Sequence, residues 1–70
     1  MTLRQRLQKA LNDPNPFTLF IRTTAGGEAL EYALVEIADD HLLVDTLGEE
    51  RSSVVIMMSK IVSIAFDWNP

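Results

Sequence analysis

Residues 52–66 read SSVVIMMSKIVSIAF. Two uncharged runs, Val54 to Met58 and Ile61 to Phe66, are separated only by Ser59 and Lys60. Both are rich in β-branched and other apolar residues, so each reads as a strand. A hairpin between them is disfavoured, because Ser59-Lys60 lacks the Gly or Asn that two-residue hairpin turns need. A sharp one-turn change of direction fits better. Neither run carries the proline or charge that natural sheets place on exposed edges. If both strands lie at edges, the cover expected for them is a second copy of the chain. Joining the fourth strand of one copy to the fifth of the next is a head-to-tail contact. Such contacts close into rings or continue as filaments.

Working outward, the whole chain has 70 residues, enough for one domain spanning 1–70. A chain of this size buries only about 60% of the surface its unfolded form exposes. Small folds add disulfides, metals or partner subunits to compensate. There is no cysteine, which excludes disulfides and argues against a zinc cluster. Partner subunits remain. The composition, 47% hydrophobic, is too apolar for a disordered chain. There is no secretory h-region behind Arg4 and Arg6 and no apolar run near membrane-spanning length. These features predict a soluble cytoplasmic protein with no membrane association.

The net charge is −4, unevenly spread. Arg4, Arg6 and Lys9 stand near the start with no acid among them, while the acids crowd the rest. A basic arm on an acidic body argues against broad coating of nucleic acid and still allows one basic face.

Thr2 and Gln5 have capping-box spacing. Leu3, Leu7, Ala10 and Leu11 then share one face of a helix, with the basic residues off it. Pro14 disfavours helix at Asp13. The expectation is a short amphipathic helix over residues 2–11, docked by its leucines. From Phe17 the pattern becomes β. FTLFIRTT is a strand, and Gly26-Gly27 supply a tight turn. A phosphate cradle is a poor reading of those glycines, since no helix follows them. EALEYALVEIA, residues 28–38, is long for a strand. Glu31 and Glu36 are five apart and fall on opposite faces, which predicts a bulge between them. DDH turns the chain, LLVDTL is a third strand and GEER turns it again. The predicted fold is therefore mainly β: an N-terminal α-helix, then a small, strongly bent five-stranded antiparallel barrel over residues 17–66.

This order resembles the Sm and Sm-like proteins, including the bacterial RNA chaperone Hfq, which share an SH3-like barrel. TLFIRTTAGGEALEYALVEIADDHLLVD resembles the first Sm motif: strand, turn, long bent strand, acidic turn, strand. VIMMSKIVSI resembles the second, with Ile61 and Ile64 matching its I-x-x-I. The resemblance covers nearly the whole chain. It implies a homo-oligomeric ring of roughly five to eight copies built by pairing the fourth strand with the fifth. The implied interface is Val54, Val55, Ile56, Ile61, Val62 and Ile64. It also implies RNA as a partner, through a pocket of Asp39, Asp40, His41, Met57, Met58, Ser59 and Lys60.

That pocket departs from the family pattern. Where Sm proteins carry Arg-Gly and Hfq carries Lys-His, this chain has Met57-Met58 or, shifted by one, Met58-Ser59. Leu42 or Leu43 occupies the position of the family's Asn. Ala33 or Tyr32 stands at the glycine of the second strand. The scaffold features match and the nucleotide pocket matches poorly. In a ring the helices of all copies share one face, so Arg4, Arg6 and Lys9 form the second candidate RNA-binding surface.

No catalytic set emerges, and the chain reads as a non-enzyme without cofactor or metal. His41 is the sole histidine; its plain reading is a solvated turn residue, and the family reading is a base contact. Asp39 and Asp40 read first as a turn, with too few ligands beside them for a metal. The serines have no neighbouring base in sequence. Met57 and Met58 read as core or interface filler, or as an adaptable surface for a peptide or methylated ligand. Trp68 reads as packing over a barrel end or a neighbouring subunit; base stacking requires it to be exposed near a basic groove. Two functions of different class follow: an RNA-associated Sm-like ring acting as chaperone or adaptor, or a ring that serves as a structural or protein-interaction module.

Overall fold

The computed structural model describes residues 1–68. α1 spans Leu3–Asn12. Its start is fixed by reciprocal caps. The Thr2 hydroxyl accepts from the Gln5 amide at 3.1 Å, and the Gln5 side chain accepts from the Thr2 amide at 2.8 Å. Together they satisfy two of the donors that a helix start leaves free. Extended backbone at Asp13, ahead of Pro14, ends it.

Five strands follow: β1 (Phe17–Thr23), β2 (Leu30–Ile37), β3 (His41–Thr46), β4 (Ser53–Met57) and β5 (Ile61–Trp68). All ladders are antiparallel, in the order β4-β3-β2-β1-β5. Gly26 and Gly27 take φ of +89° and +85° in the turn between β1 and β2, as the Gly-Gly pair predicted. The expected bulge in β2 is Val35, which has no partner between Leu34↔Val44 and Glu36↔Leu43. A second bulge, not expected from the sequence, lies at Val62, between Thr23↔Ile61 and Arg22↔Ser63. Each adds local bend and twist.

Between β4 and β5 the chain makes a single 3-10 turn, Met58–Lys60, as the missing hairpin signal implied. The Met58 amide donates to the Asp40 carbonyl at 2.9 Å, and the Thr24 amide donates to the Lys60 carbonyl at 2.8 Å. One end of the turn is thus tied to the β2–β3 connection and the other to the β1–β2 connection. β5 is delivered to β1 at the far side of the sheet.

The sheet is not closed into a barrel, which corrects the expected architecture. Among the described residues β4 pairs with β3 alone and β5 with β1 alone, so both have a free side. The bulges bend the sheet, but no ladder joins its ends.

The core lies between the concave face and α1. Leu7, Leu19, Ile21, Leu42, Val44 and Ile56 form it, with Tyr32, Leu34, Ile37, Ile61, Ile64 and Phe66 packed around them. Alternation along β1, β3 and β4 points Leu19, Ile21, Leu42, Val44 and Ile56 inward. Leu7 is 0% exposed, and Ala10 is buried beside it. Leu3 and Leu11, expected to dock with them, remain partly exposed on the flanks of the helix. A ten-residue helix over a concave sheet buries a narrower stripe than the four-residue face in the sequence.

This packing gives a direct expectation. Leu7→Ala should destabilise the protein by about 2–5 kcal/mol in urea unfolding. Leu3→Ala and Leu11→Ala should each cost under about 1 kcal/mol. Equal costs at all three would mean that the helix seats differently.

Candidate nucleic-acid interface

Three groups of side chains were expected to carry function, and the fold brings two of them into contact. His41 pairs with Met57 across β3 and β4. The bond from the Met58 amide to Asp40 then draws the acidic turn and the 3-10 turn together. Asp39, Asp40, His41, Met57 and Met58 therefore form one neighbourhood, followed along the chain by Ser59 and Lys60. Arg4 of α1 reaches this neighbourhood, with its guanidinium 2.7 Å from Asp39 Oδ1.

The chemistry of the neighbourhood is acidic and apolar. Met58 packs against the core, so the filler reading holds for it. Met57 is exposed on the outer side of β4. Asp39 is engaged by Arg4, and Asp40 by His41, whose Nδ1–H donates to Oδ1 at 2.7 Å. The hydrogen bond from His41, followed by its positive charge when protonated, holds the Asp40 carboxyl below the ordinary aspartate range. Lys60 is exposed and is the only cation supplied by the turn. No cluster of three or more His, Cys, Asp or Glu suited to a metal occurs among the described residues.

The interface candidates divide by strand face. Val54, Ile56, Ile61 and Ile64 serve the chain's own core, and Ile56 is only 7% exposed. Val55 and Val62 point outward, 58% and 60% exposed. These two are the most exposed of the six, while Val54, Ile61 and Ile64 are half-buried.

The helix cations also divide. Arg4 is committed to Asp39. Arg6 and Lys9 lie on the other flank and form no ion pair among the described residues. They line a groove of about 430 Å³ with Met1, Ala10 and Asp13 on the helix side and Phe66 and Trp68 on the sheet side. Phe17, Phe66 and Trp68 form one aromatic cluster, with Trp68 5.1 Å from Phe17 and 6.3 Å from Phe66 between ring centres. Trp68 does pack over the end of the sheet, and it also meets the condition for stacking: it is exposed beside basic side chains. The periodicities were visible in sequence, since 6, 9, 10 and 13 share a helix flank and 66 and 68 share a strand face. What sequence alone did not give was their juxtaposition.

No family model matches the chain, and neither a curated protein nor a solved structure does so. No helix among the described residues is long and apolar enough to cross a membrane.

The Asp40–His41 contact supplies a pH test. With its folded-state value lowered, Asp40 contributes stability that is present above its unfolded value. That contribution is lost as pH falls through the lowered folded value. In carboxyl NMR titration Asp40 should titrate below ordinary aspartate, and His41→Ala should move it upward. An unchanged midpoint in the variant would remove the histidine as the cause.

Proposed function

We propose that the chain is an Sm-like, ring-forming protein that associates with RNA as a chaperone or adaptor, with a degenerate nucleotide pocket. The observation carrying this reading is the pair of free edges. β4 and β5 end the sheet on opposite sides, each has one side without a ladder among the described residues, and both are apolar. Unpaired strand edges recruit other strands. Here the available strands are the complementary edges of identical copies, and a constant rotation closes them into a ring. The Sm-like family pairs these same two strands between subunits, and its helix-then-five-strands order fits the arrangement here.

RNA association rests on the helix flank rather than the pocket. Each subunit of a ring would present Arg6 and Lys9 on the helix-bearing side. The pocket region offers Asp39, Asp40, Met57 and Met58 where a uridine site needs donors, so selective oligo-uridine binding is expected to be weak. A second reading, a ring that binds proteins and not RNA, is favoured by the exposed apolar side chain of Met57 in that pocket.

Light scattering after gel filtration should give a discrete oligomer of roughly five to eight copies. Val55→Lys or Val62→Lys should dissociate it into folded subunits, since both side chains point away from the core. Ile64→Lys should unfold the chain instead. A stable wild-type monomer at micromolar concentration would overturn the ring. RNA affinity should fall with salt, because phosphate contacts release counterions. Absence of binding at low salt would favour the protein-interaction reading, and nanomolar uridine-selective binding would overturn the degenerate pocket.

A further inference from the structure

We propose that the groove between α1 and β5 is a single-stranded nucleic-acid site, with one base stacked on Trp68 and the adjoining phosphodiester held by Arg6 and Lys9. This deepens the RNA reading above and rests on it.

The two walls of the groove differ in chemistry and match the two halves of a nucleotide. On the sheet side, Trp68 is 45% exposed. It is braced from behind by Phe17 and lies nearly parallel to Phe66, with an interplanar angle of 13°. Bracing fixes the ring before a ligand arrives, so little rotamer entropy remains to be lost on stacking. Base-on-aromatic stacking is tolerant of sequence, because every base has a π-face. On the helix side, Arg6 and Lys9 are free of the ion pair that occupies Arg4. The volume, about 430 Å³, falls within the roughly 300–1,000 Å³ of small-ligand sites.

The Asp13 carboxylate also lines the groove, where it accepts from the Asn15 amide at 2.9 Å. The cations outnumber it, so the lining is net positive and suits the anionic backbone of a polynucleotide. An acidic peptide could meet the cations but brings no planar ring for Trp68. The groove offers little to read base edges, so the site should be nearly indifferent to sequence.

Trp68 is the only tryptophan in the chain, so tryptophan emission, excited selectively to leave out Tyr32, reports on this groove. Titration of the intact protein at low salt with the ribo-oligonucleotide hexa-adenylate should quench that fluorescence to saturation. The quench should weaken with salt. Arg6→Gln combined with Lys9→Gln should weaken affinity at least tenfold and flatten the salt slope. In the anisotropy of a labelled hexa-adenylate, Trp68→Leu should bind roughly five- to a hundredfold more weakly. Arg51→Gln, exposed in the turn before β4, should leave the quench unchanged. Circular dichroism checks folding, and the Arg6 and Lys9 variants, exposed on the helix, serve if Trp68→Leu does not fold. Labelled hexa-adenylate that binds without quenching, and equally well in the groove variants, would overturn the groove and leave the RNA reading standing. Failure of the wild type to bind it at low salt would overturn both. Equal quenching by a poly-glutamate peptide would reassign the groove to acidic protein segments.

Discussion

Two backbone hydrogen bonds at the Met58–Lys60 turn govern where the last strand goes, and the rest of the architecture depends on them. Met58 is held to Asp40 and Lys60 to Thr24. With both ends fixed, β5 cannot fold back on β4 as a hairpin. It crosses to β1 instead, and the sheet is left with two free sides. Every ladder group on those sides must find water or another chain. A domain of this size has little core to spare, so a second copy pairing with these edges would stabilise the fold as well as the assembly.

The same placement separates two kinds of surface. Around the turn, Asp39, Asp40, His41 and the methionines meet Arg4, and the charges there are largely spent on one another. Across the helix, Arg6 and Lys9 are unspent and face an aromatic shelf. The unspent positive charge of α1 therefore lies on its groove side, although the family resemblance directs attention to the turn. Stacking and phosphate contact are additive and need no base-edge hydrogen bonds, so an acidic protein can hold single-stranded RNA without a specific pocket.

Much of the fold was legible in local signals. The Thr2–Gln5 capping box, the Gly26-Gly27 turn, the bulge between Glu31 and Glu36 and the turn at Ser59-Lys60 each depend on a few neighbouring residues. All of them are present in the structure. What failed depended on distant packing. Sheet curvature alone does not close a barrel, and closure requires a ladder that no local pattern specifies. Helical periodicity grouped Leu3, Leu7, Ala10 and Leu11, yet the sheet beneath has room to bury only Leu7 and Ala10. Six apolar residues in β4 and β5 looked equivalent as interface candidates. The bulge at Val62 and the alternation of β4 leave only Val55 and Val62 pointing outward.

The central claim is that the free sides of β4 and β5 cover each other between copies. Amide hydrogen exchange tests it residue by residue. In a monomeric sheet, alternate amides on each edge strand face solvent, whereas paired edges protect them all. The account predicts protection at consecutive residues along both β4 and β5 in the wild type, and loss of every second one in Val55→Lys. Fast exchange at alternate residues of both strands in the wild type, with β1 to β3 protected throughout, would contradict it.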